Sequence, residues 1–195
     1  MSYSISSISS IINGNISGNG NTASQIKNLL IDSRKLSNAD TSLFFAIVGE
    51  RHDGHTYLSD LFEKGVRNFV VSALPQNLSD FEHSNFILVP NTLLALQQLC
   101  AFHRQQYKIP VIGITGSNGK TIVKEWLFQL LRDDKNIVRS PKSFNSQVGV
   151  PLSVWQISAE HDLGIFEAGI SQPQEMKLLE NIIRPTIGLI TNVGQ

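Results

Sequence analysis

One stretch of the sequence decides the fold: VIGITGSNGKTIVKEW, at residues 111–126. Its apolar first residues predict a buried strand at Val111–Thr115, and a helical pattern follows at about Lys120–Leu131. Between the two lies the turn at residues 116–121, whose glycines permit unusual backbone dihedrals and the close approach of a ligand. A strand, a glycine-rich turn and a helix in this order predict an anion-binding loop, because backbone N–H groups and the helix N-terminus both favour negative charge.

The residue types in this loop predict that the anion is a nucleotide phosphate. The Lys120 ammonium suits the outer phosphates, and the Thr121 hydroxyl suits Mg²⁺. The general pattern G-x4-G-K-[ST] requires a glycine where this chain has Ile114, so the sequence fits the shorter variant G-x-x-G-K-T. A plain strand-to-helix turn is the alternative. The residues predicted to bind the nucleotide are Thr115, Gly116, Ser117, Asn118, Gly119, Lys120 and Thr121.

A carboxylate suited to a metal follows a second apolar run. Glu167 comes directly after residues 163–166, a predicted strand, so we expect it at the edge where ligands bind in open α/β sheets. Together with Thr121 it is predicted to bind Mg²⁺. A solvated turn glutamate is the alternative. Asn145 and Asn192 also follow predicted strands, but amides are equally good turn formers, so the pattern leaves their roles open.

Short apolar runs alternate with helical segments along the chain, which predicts an α/β fold with a mainly parallel sheet. The predicted strands are residues 29–31, 43–48, 69–71, 86–89, 111–115, 136–138, 163–166 and 187–190. The predicted helices are residues 5–12, 57–64, 92–106, 120–131 and 174–183, with a short one ahead of residue 163. Residues 13–24, rich in Gly, Asn and Ser, are predicted to form a loop. A boundary near Pro110 predicts two domains, 1–107 and 108–195.

Composition and charge are those of an ordinary globular chain. Lys plus Arg and Asp plus Glu both total 16, and this balance argues against a broad basic footprint for nucleic acid. The single cysteine, Cys100, excludes an internal disulfide framework and lies on an apolar stripe, which predicts a buried structural thiol in a reducing compartment. Neither a signal peptide nor a run of about 18 apolar residues is evident, so we expect a cytoplasmic protein without a membrane span.

Beyond the loop, several motifs occur in an order and spacing that resemble the Mur ligases of peptidoglycan synthesis. They are ITGSNGKTIVKE at 114–125, FNSQVGVPLS at 144–153, EAG at 167–169 and ITNVG at 190–194, preceded by IDSR at 31–34 and LFFAIVGERHDGH at 43–55. The resemblance spans essentially the whole chain. It implies a small N-terminal UDP-sugar-binding α/β domain followed by a truncated P-loop-type parallel-sheet ATPase domain. Residues 143–156 also resemble a subgroup in which the ligase is fused ahead of an alanine racemase.

The resemblance implies roles for individual residues. Residues 116–121 would bind the ATP phosphates, Thr121 and Glu167 would hold Mg²⁺, and Asn145 would lie near the γ-phosphate and the acyl phosphate. Lys120, Asn145 and Glu167 are thereby expected to be catalytic. The residues expected to face the UDP-muramoyl substrate are Ser33, Arg34, Asp53, Gly54 and His55. For the last three a simple turn is the alternative, and His52 with His55 lacks an evident third ligand for a metal.

The implied activity is ATP-dependent formation of an amide, which adds D-Ala-D-Ala to a UDP-N-acetylmuramoyl-tripeptide through an acyl phosphate. Lys124, Glu125 and the NSQVGVPLS segment favour this step over a sister ligase that adds a single amino acid. A non-catalytic UDP-sugar-binding module is the alternative from another class. The chain departs from the family in reading EAGIS where EMGAN is common, and several family features would lie beyond Gln195. We therefore expect the chain alone to be inactive.

Overall fold

The computed structural model describes residues 1–50, 52–170 and 174–193. The chain divides into two compact units, Met1–Leu99 and Cys100–Gln195. The division falls inside a continuous helix, Thr92–Gln105. The domain boundary predicted between residues 107 and 108 therefore stays a prediction.

The first unit is built on a five-stranded sheet. The strands of the unit, five of them in this sheet, are β1 (Tyr3–Ser4), β2 (Asn15–Gly18), β3 (Gln25–Ile26), β4 (Asn28–Leu30), β5 (Ser42–Phe45), β6 (Asn68–Val71) and β7 (Asn85–Leu88). Its helices are α1 (Ile5–Ile11), α2 (Leu58–Glu63) and the first part of α3 (Thr92–Gln105). The order β2-β7-β6-β5-β4 is parallel throughout except for the antiparallel pair β2 and β7, while β1 and β3 pair separately.

The mainly parallel sheet is confirmed, with two corrections. The loop predicted at residues 13–24 is wrong in part, because β2 pairs with β7 there. Most side chains of β2 are exposed, so its position comes from hydrogen bonds to the partner strand and leaves little apolar pattern in the sequence. The strand predicted to reach Val48 ends at Phe45, since the chain turns back and the Gly54 N–H donates to the Ile47 carbonyl.

Phenylalanines fill the core between this sheet and α2. Phe69 stacks on Phe86 with ring centroids 5.0 Å apart, and Phe81 meets the two rings edge-on at 6.2 and 5.3 Å. Leu58 and Leu61 of α2 complete the same cluster. Buried aromatic rings contribute a large area each and prefer these offset and edge-to-face arrangements, so they hold β6 and β7 in place.

The second unit contains a four-stranded sheet in which all neighbours are parallel. Its elements after α3 are β8 (Val111–Thr115), α4 (Lys120–Leu131), β9 (Ile137–Arg139), α5 (Gly149–Val154), β10 (Leu163–Glu167), α6 (Glu175–Ile183) and β11 (Ile187–Ile190). The order β11-β8-β10-β9 places β8 between β10 and β11. The predicted strands and the helices predicted at 120–131 and 174–183 are confirmed within one or two residues, and α5 is the short helix predicted ahead of residue 163.

Strand register explains which loops meet at the carboxyl edge of this second sheet. Glu167 pairs with Ile114, and Ile190 pairs with Thr115. The loop after β8 therefore lies beside the residues that end β10 and follow β11. The apolar face of α4 packs below it on Ile112, Ile114 and Ile165, which fixes the start of the helix against the sheet.

Two further residues bear on the sequence predictions. Cys100 is fully buried, as predicted, and burial raises the pKa of its thiol, so it is a structural residue rather than a nucleophile. His103, one turn later, is also buried, and its Nε2 donates to the Ile157 carbonyl at 2.9 Å.

Within the described part of the chain, none of the helices combines the length and apolar character that crossing a membrane requires.

Candidate functional site

The turn after β8 has the backbone geometry that its glycines predict. Gly116 has a φ of 132° and Gly119 a φ of 81°, both in the region that side-chain-bearing residues rarely adopt. A Cβ atom on Gly116 would also lie 2.2 Å from Thr191 Oγ1 and 2.8 Å from the Asn192 carbonyl oxygen. Glycine is therefore required at residue 116 for two independent reasons, the dihedral and the close packing.

The end of β11 holds this loop in place. The Ser117 N–H donates to the Asn192 carbonyl at 2.9 Å, and the Asn118 N–H donates to Asn192 Oδ1 at 2.8 Å. Thr191 Oγ1 donates to the Asn118 carbonyl at 2.5 Å. Two N–H groups that the sequence assigned to a bound anion are thus bonded to the protein. Asn192, whose role the sequence left open, is an anchor of the loop.

The loop leads directly into the N-terminus of α4. The helix begins at Lys120 after Gly119, and no side chain caps it among the described residues. Its first-turn N–H groups lack intrahelical acceptors, which leaves them for an anion. The Lys120 ammonium folds back and donates to the Gly116 carbonyl at 2.5 Å, so its positive charge lies over the same turn.

Thr121 and Glu167, which the sequence paired, are in direct contact. Thr121 Oγ1 donates to Glu167 Oε2 at 2.9 Å, although the two residues are far apart in the chain. Glu167 is fully buried, and its N–H donates to Ser140 Oγ at 3.1 Å. Because the threonine hydrogen points to the carboxylate, its oxygen acts as an acceptor, and Ser143 Oγ lies 3.4 Å from it.

Lys124 lies beside Thr121 and Glu167, which the sequence did not predict. It is fully buried, with Nζ 2.9 Å from Glu167 Oε1. The approach lies outside hydrogen-bond geometry, so Oε1 is a buried oxygen with an ion pair but no hydrogen bond. Residue 124 is four positions after Lys120 and three after Thr121, so it lies on the same face of α4, but this spacing does not reveal that the lysine is buried.

The donor set fits a small hard cation. Hydroxyl and carboxylate oxygens are the ligands that Mg²⁺ prefers, and Glu167 carries a buried oxygen that is not hydrogen-bonded. In the described ranges there is no group of three or more His, Cys, Asp or Glu side chains that could hold a metal unaided. The remaining ligands of such a cation would therefore be phosphate oxygens and water.

Asn145 lies at a cavity of about 430 Å³ that opens beside the loop, lined among others by Lys120, Gln147 and Glu175. Its carbonyl accepts the Gly169 N–H at 2.8 Å. A Cβ on Gly169 would lie 2.9 Å from Asn145 Cγ, so the glycine of the EAG motif leaves room for this amide. The two amides left open by the sequence thus differ: Asn145 is packed against Gly169, and Asn192 ties the loop.

Ser33 and Arg34 lie in a short 3₁₀ turn after β4, at the carboxyl edge of the first sheet. Asp32 caps this turn by accepting the Arg34 N–H at 3.1 Å, and its two oxygens also accept from the Arg34 guanidinium at 2.9 Å each. The hydrogen bond from Arg34 lowers the pKa of Asp32 to about 2. The Arg34 side chain itself is largely exposed.

Asp53, Gly54 and His55 follow β5 at the same edge. Asp53 Oδ1 accepts the His55 N–H at 2.9 Å and lies 2.6 Å from His55 Nδ1. The backbone N–H and then the ring of His55 lower the pKa of Asp53. His55 Nε2 accepts the Ser72 N–H at 3.1 Å, so both ring nitrogens have protein partners and Nδ1 carries the hydrogen. A Cβ on Gly54 would lie 2.7 Å from the Ala46 backbone, which explains the glycine.

The first unit brings only part of its predicted residues to one cavity. Asp53 and His55 line a cavity of about 500 Å³ together with residues that follow β6, among them Ser72. Ser33 and Arg34 share the sheet edge with them but do not line this cavity. In the second unit, by contrast, the predicted loop, Thr121 and Glu167 are in mutual contact.

The fold and the loop define the class of the second unit, a parallel α/β domain with a glycine-rich turn between strand β8 and helix α4. The chain belongs to the Mur ligase family. The family model "Mur ligase family, catalytic domain" matches residues 25–104, and the model "Mur ligase middle domain" matches residues 114–195. The two matches lie on the two halves of the chain and together cover most of it.

Individual relatives agree with this assignment. The chain is 37% identical over 174 residues to UDP-N-acetylmuramoyl-tripeptide--D-alanyl-D-alanine ligase from Synechocystis, covering 87% of this chain and 37% of that protein. The crystal structure of MurF from Acinetobacter baumannii matches with a TM-score of 0.90 at 27% identity, over 100% of this chain and 42% of that one. The MurF ligase from Thermotoga maritima, solved in complex with ADP, matches with a TM-score of 0.75 at 26% identity, over 86% and 38%. The chain thus spans about two fifths of the length of these relatives.

Proposed function

We propose that the turn at residues 116–121 binds the phosphates of ATP. The N-terminus of α4 contributes fixed N–H donors, and the Lys120 ammonium, 2.5 Å from the Gly116 carbonyl, contributes a positive charge above the turn. The ADP bound in the Thermotoga maritima relative supports a nucleotide as the ligand. The observation that carries the proposal is the Thr121 contact with Glu167 at this turn. An ordinary strand-to-helix turn does not require a hydrogen bond to a buried carboxylate.

Thr121 and Glu167 would hold Mg²⁺ beside the outer phosphates. Glu167 keeps the threonine hydrogen directed at Oε2, which leaves the hydroxyl oxygen able to act as a ligand. A bound Mg²⁺ would neutralise the negative charge that develops during phosphoryl transfer. Lys120, Asn145 and Glu167 are the residues that we propose to be catalytic, with Asn145 positioned by Gly169 at the adjoining cavity.

The reaction we propose is the addition of D-Ala-D-Ala to a UDP-N-acetylmuramoyl-tripeptide, as the names of the relatives describe for those proteins. A terminal carboxylate oxygen of the tripeptide attacks the γ-phosphorus of ATP, and ADP leaves. The amine of D-Ala-D-Ala then attacks the acyl carbon, phosphate leaves, and an amide bond forms. Donors fixed at a helix N-terminus and a lysine stabilise the charge that builds on the transferred phosphoryl group without rearranging.

The first unit would bind the UDP-muramoyl part of the substrate. Its supports are the cavity beside Asp53 and His55 and the exposed guanidinium of Arg34 at the same sheet edge. The Nε and one terminal nitrogen of this guanidinium donate to Asp32, and its remaining N–H groups are donors that suit a diphosphate. With nucleotide precursors as substrates, we place the reaction in the cytoplasm.

Phosphate release by the complete natural polypeptide tests this function. The assay supplies ATP, Mg²⁺, UDP-N-acetylmuramoyl-tripeptide and D-Ala-D-Ala, and compares the wild type with Lys120→Ala. We expect release that requires D-Ala-D-Ala and falls about 10²–10³-fold in the variant, the usual effect of removing one donor to a developing anion. Lys135→Ala is the matched control, since Lys135 is exposed and lies just past the end of α4.

Other outcomes of the same assay separate the alternatives. Release with a single amino acid, but not with D-Ala-D-Ala, would assign the protein to a sister ligase of the same family. No release with any acceptor, combined with binding of the UDP-sugar, would favour a non-catalytic binding module. A Lys120→Ala variant as active as Lys135→Ala would remove the loop from the mechanism.

A further inference from the structure

Lys124 is a fully buried charged residue next to the proposed cation site. Its side chain has no exposed area, and neither has that of Glu167, 2.9 Å from it. The Lys124 ammonium donates to the Ser140 carbonyl at 2.9 Å and to the Lys142 carbonyl. An ammonium has three hydrogens, and two of them go to the backbone after β9, while Glu167 Oε1 is its partner in an ion pair.

This arrangement fixes the glutamate from both sides. Oε1 faces Lys124 and Oε2 accepts from Thr121, so the carboxylate cannot rotate without breaking a buried contact. The same ammonium ties Ser140, whose Oγ accepts the Glu167 N–H at 3.1 Å. The Lys124 side chain thereby connects three segments of the site: α4, the segment after β9 and the end of β10.

The charges around Lys124 balance before any cation binds. Glu125 Oε1 lies 3.3 Å from its Nζ, and Glu125 is itself paired with Arg139. Two carboxylates thus face a lysine and an arginine. Burying an ion pair is costly unless it is well matched, and its frequent benefit is a unique arrangement rather than stability.

We propose that Lys124 is a positioning residue for the cation site: it holds Glu167 so that the carboxylate and the Thr121 hydroxyl present a fixed pair of oxygens to Mg²⁺. Lys124 touches neither the nucleotide nor the metal in this assignment. It acts through Glu167, in the manner of the outer-shell partners that orient metal ligands elsewhere. The inference rests on the proposed nucleotide site and adds a residue to it.

The test measures the affinity of the complete natural polypeptide for a non-hydrolysable ATP analogue by calorimetry, once with Mg²⁺ and once with EDTA. The ratio of the two affinities reports the metal contribution alone. In Lys124→Gln, whose amide keeps donors for the two carbonyls, we expect this ratio to fall at least about tenfold, as when an outer-shell partner of a metal ligand is removed. Lys124→Met, which removes the donors as well, should lower it at least as far.

Leu127→Ala is the matched control. Leu127 lies on the same helix and packs on the core of the second unit, so its truncation lowers stability without touching the ion pair. We expect this control to unfold at a lower temperature while its Mg²⁺ ratio stays that of the wild type. If Lys124 had a purely structural role, both lysine variants would behave like this control, with a lower unfolding temperature and an unchanged Mg²⁺ ratio. The Mg²⁺ ratio therefore distinguishes a positioning role from a structural one.

Three results would overturn the inference. If both lysine variants keep the wild-type ratio, Lys124 does not position the site although the site exists. If Lys124→Gln cannot fold, its role is structural. If the wild type binds the analogue equally with Mg²⁺ and with EDTA, the proposed metal site is wrong as well. Of the three results, only this one would also contradict the proposed function.

Discussion

The carboxyl edges of the two sheets carry the candidate residues of their units, and they are built in opposite ways. At the second sheet, Lys124 and Glu167 form an ion pair with 0% exposure on both sides. At the first sheet, Asp32 and Arg34 have side-chain exposures of 21% and 86%, and Asp53 has 52%. The first edge uses local caps two residues apart, whereas the second joins segments distant in sequence.

This difference indicates where geometry is fixed before a ligand arrives. A buried pair has one arrangement, because leaving either charge unpaired in the core is costly. An exposed pair contributes little and leaves its side chains free to move, so a ligand must order them at an entropic cost. We infer that the edge beside residues 116–121 is preset and that the edge at Arg34 would be ordered only by a bound ligand.

The largest expected effect comes from breaking the buried pair. Glu167→Gln removes the buried partner of the Lys124 ammonium, which should lower the free energy of unfolding by about 3 kcal/mol, at the low end of the range for such changes. The low end applies because Glu125 remains 3.3 Å from Nζ and partly exposed. Urea denaturation measures the change.

Asp53→Asn provides the comparison at the other edge. Asparagine caps a turn about as well as aspartate, and exposed ion pairs are weak, so we expect a loss of at most about 1 kcal/mol. Equal losses in Glu167→Gln and Asp53→Asn would contradict the distinction between a preset edge and a locally capped one. The double variant Lys124→Met with Glu167→Gln is a second check. It removes both charges of the buried pair, so part of the stability lost in Glu167→Gln should return.

An effect between these two tests whether the backbone of the turn at residues 116–121 is equally preset. Gly116→Ala places a Cβ 2.2 Å from Thr191 Oγ1 and forces alanine to a φ of 132°. We expect a loss of about 2–3 kcal/mol, the range for a residue held in a sparsely populated region. Gly188→Ala in β11 is the control, because a Cβ there meets nothing within 4 Å. A Gly116→Ala variant as stable as Gly188→Ala would show that the loop adapts instead.

The sequence predicted the second unit better than the first, for a physical reason. Strands β8, β10 and β11 are apolar runs bounded by glycine and polar residues, and a phosphate loop has a fixed order of residue types. β2 escaped prediction because it is a mostly exposed edge strand whose order comes from β7. Such strands carry no apolar alternation.

The site divides in the same way. Residues 116–121 and Glu167 were predictable, because spacing places them at one sheet edge. Lys124 was not, since a lysine beside Glu125 on a helix resembles an ordinary surface pair until the fold buries it. Asn192 also depended on tertiary structure, because only the register of β11 against β8 brings it to the loop.

The smallest expected effects separate the two units by pH. In the second unit, desolvation lowers the pKa of the buried His103 below its ordinary value of 6.5. The unfolded chain then binds more protons than the folded one, so this contribution to stability is present above about pH 6.5 and is lost as the pH falls below it. In the first unit, the hydrogen bond from Arg34 lowers the pKa of Asp32 from 3.8 to about 2, so its contribution is present above about pH 4 and is lost toward pH 2.

Urea midpoints from pH 8 to pH 3 distinguish these windows. His103→Gln, whose amide can still donate to the Ile157 carbonyl, should flatten the fall in stability that begins near pH 6.5. Asp32→Asn should leave the profile above pH 4 parallel to the wild type and change it only below that value. If Asp32→Asn altered the profile between pH 5 and pH 7, the exposed cap would be coupled to the rest of its unit, and the first edge would be more preset than its solvent exposure indicates.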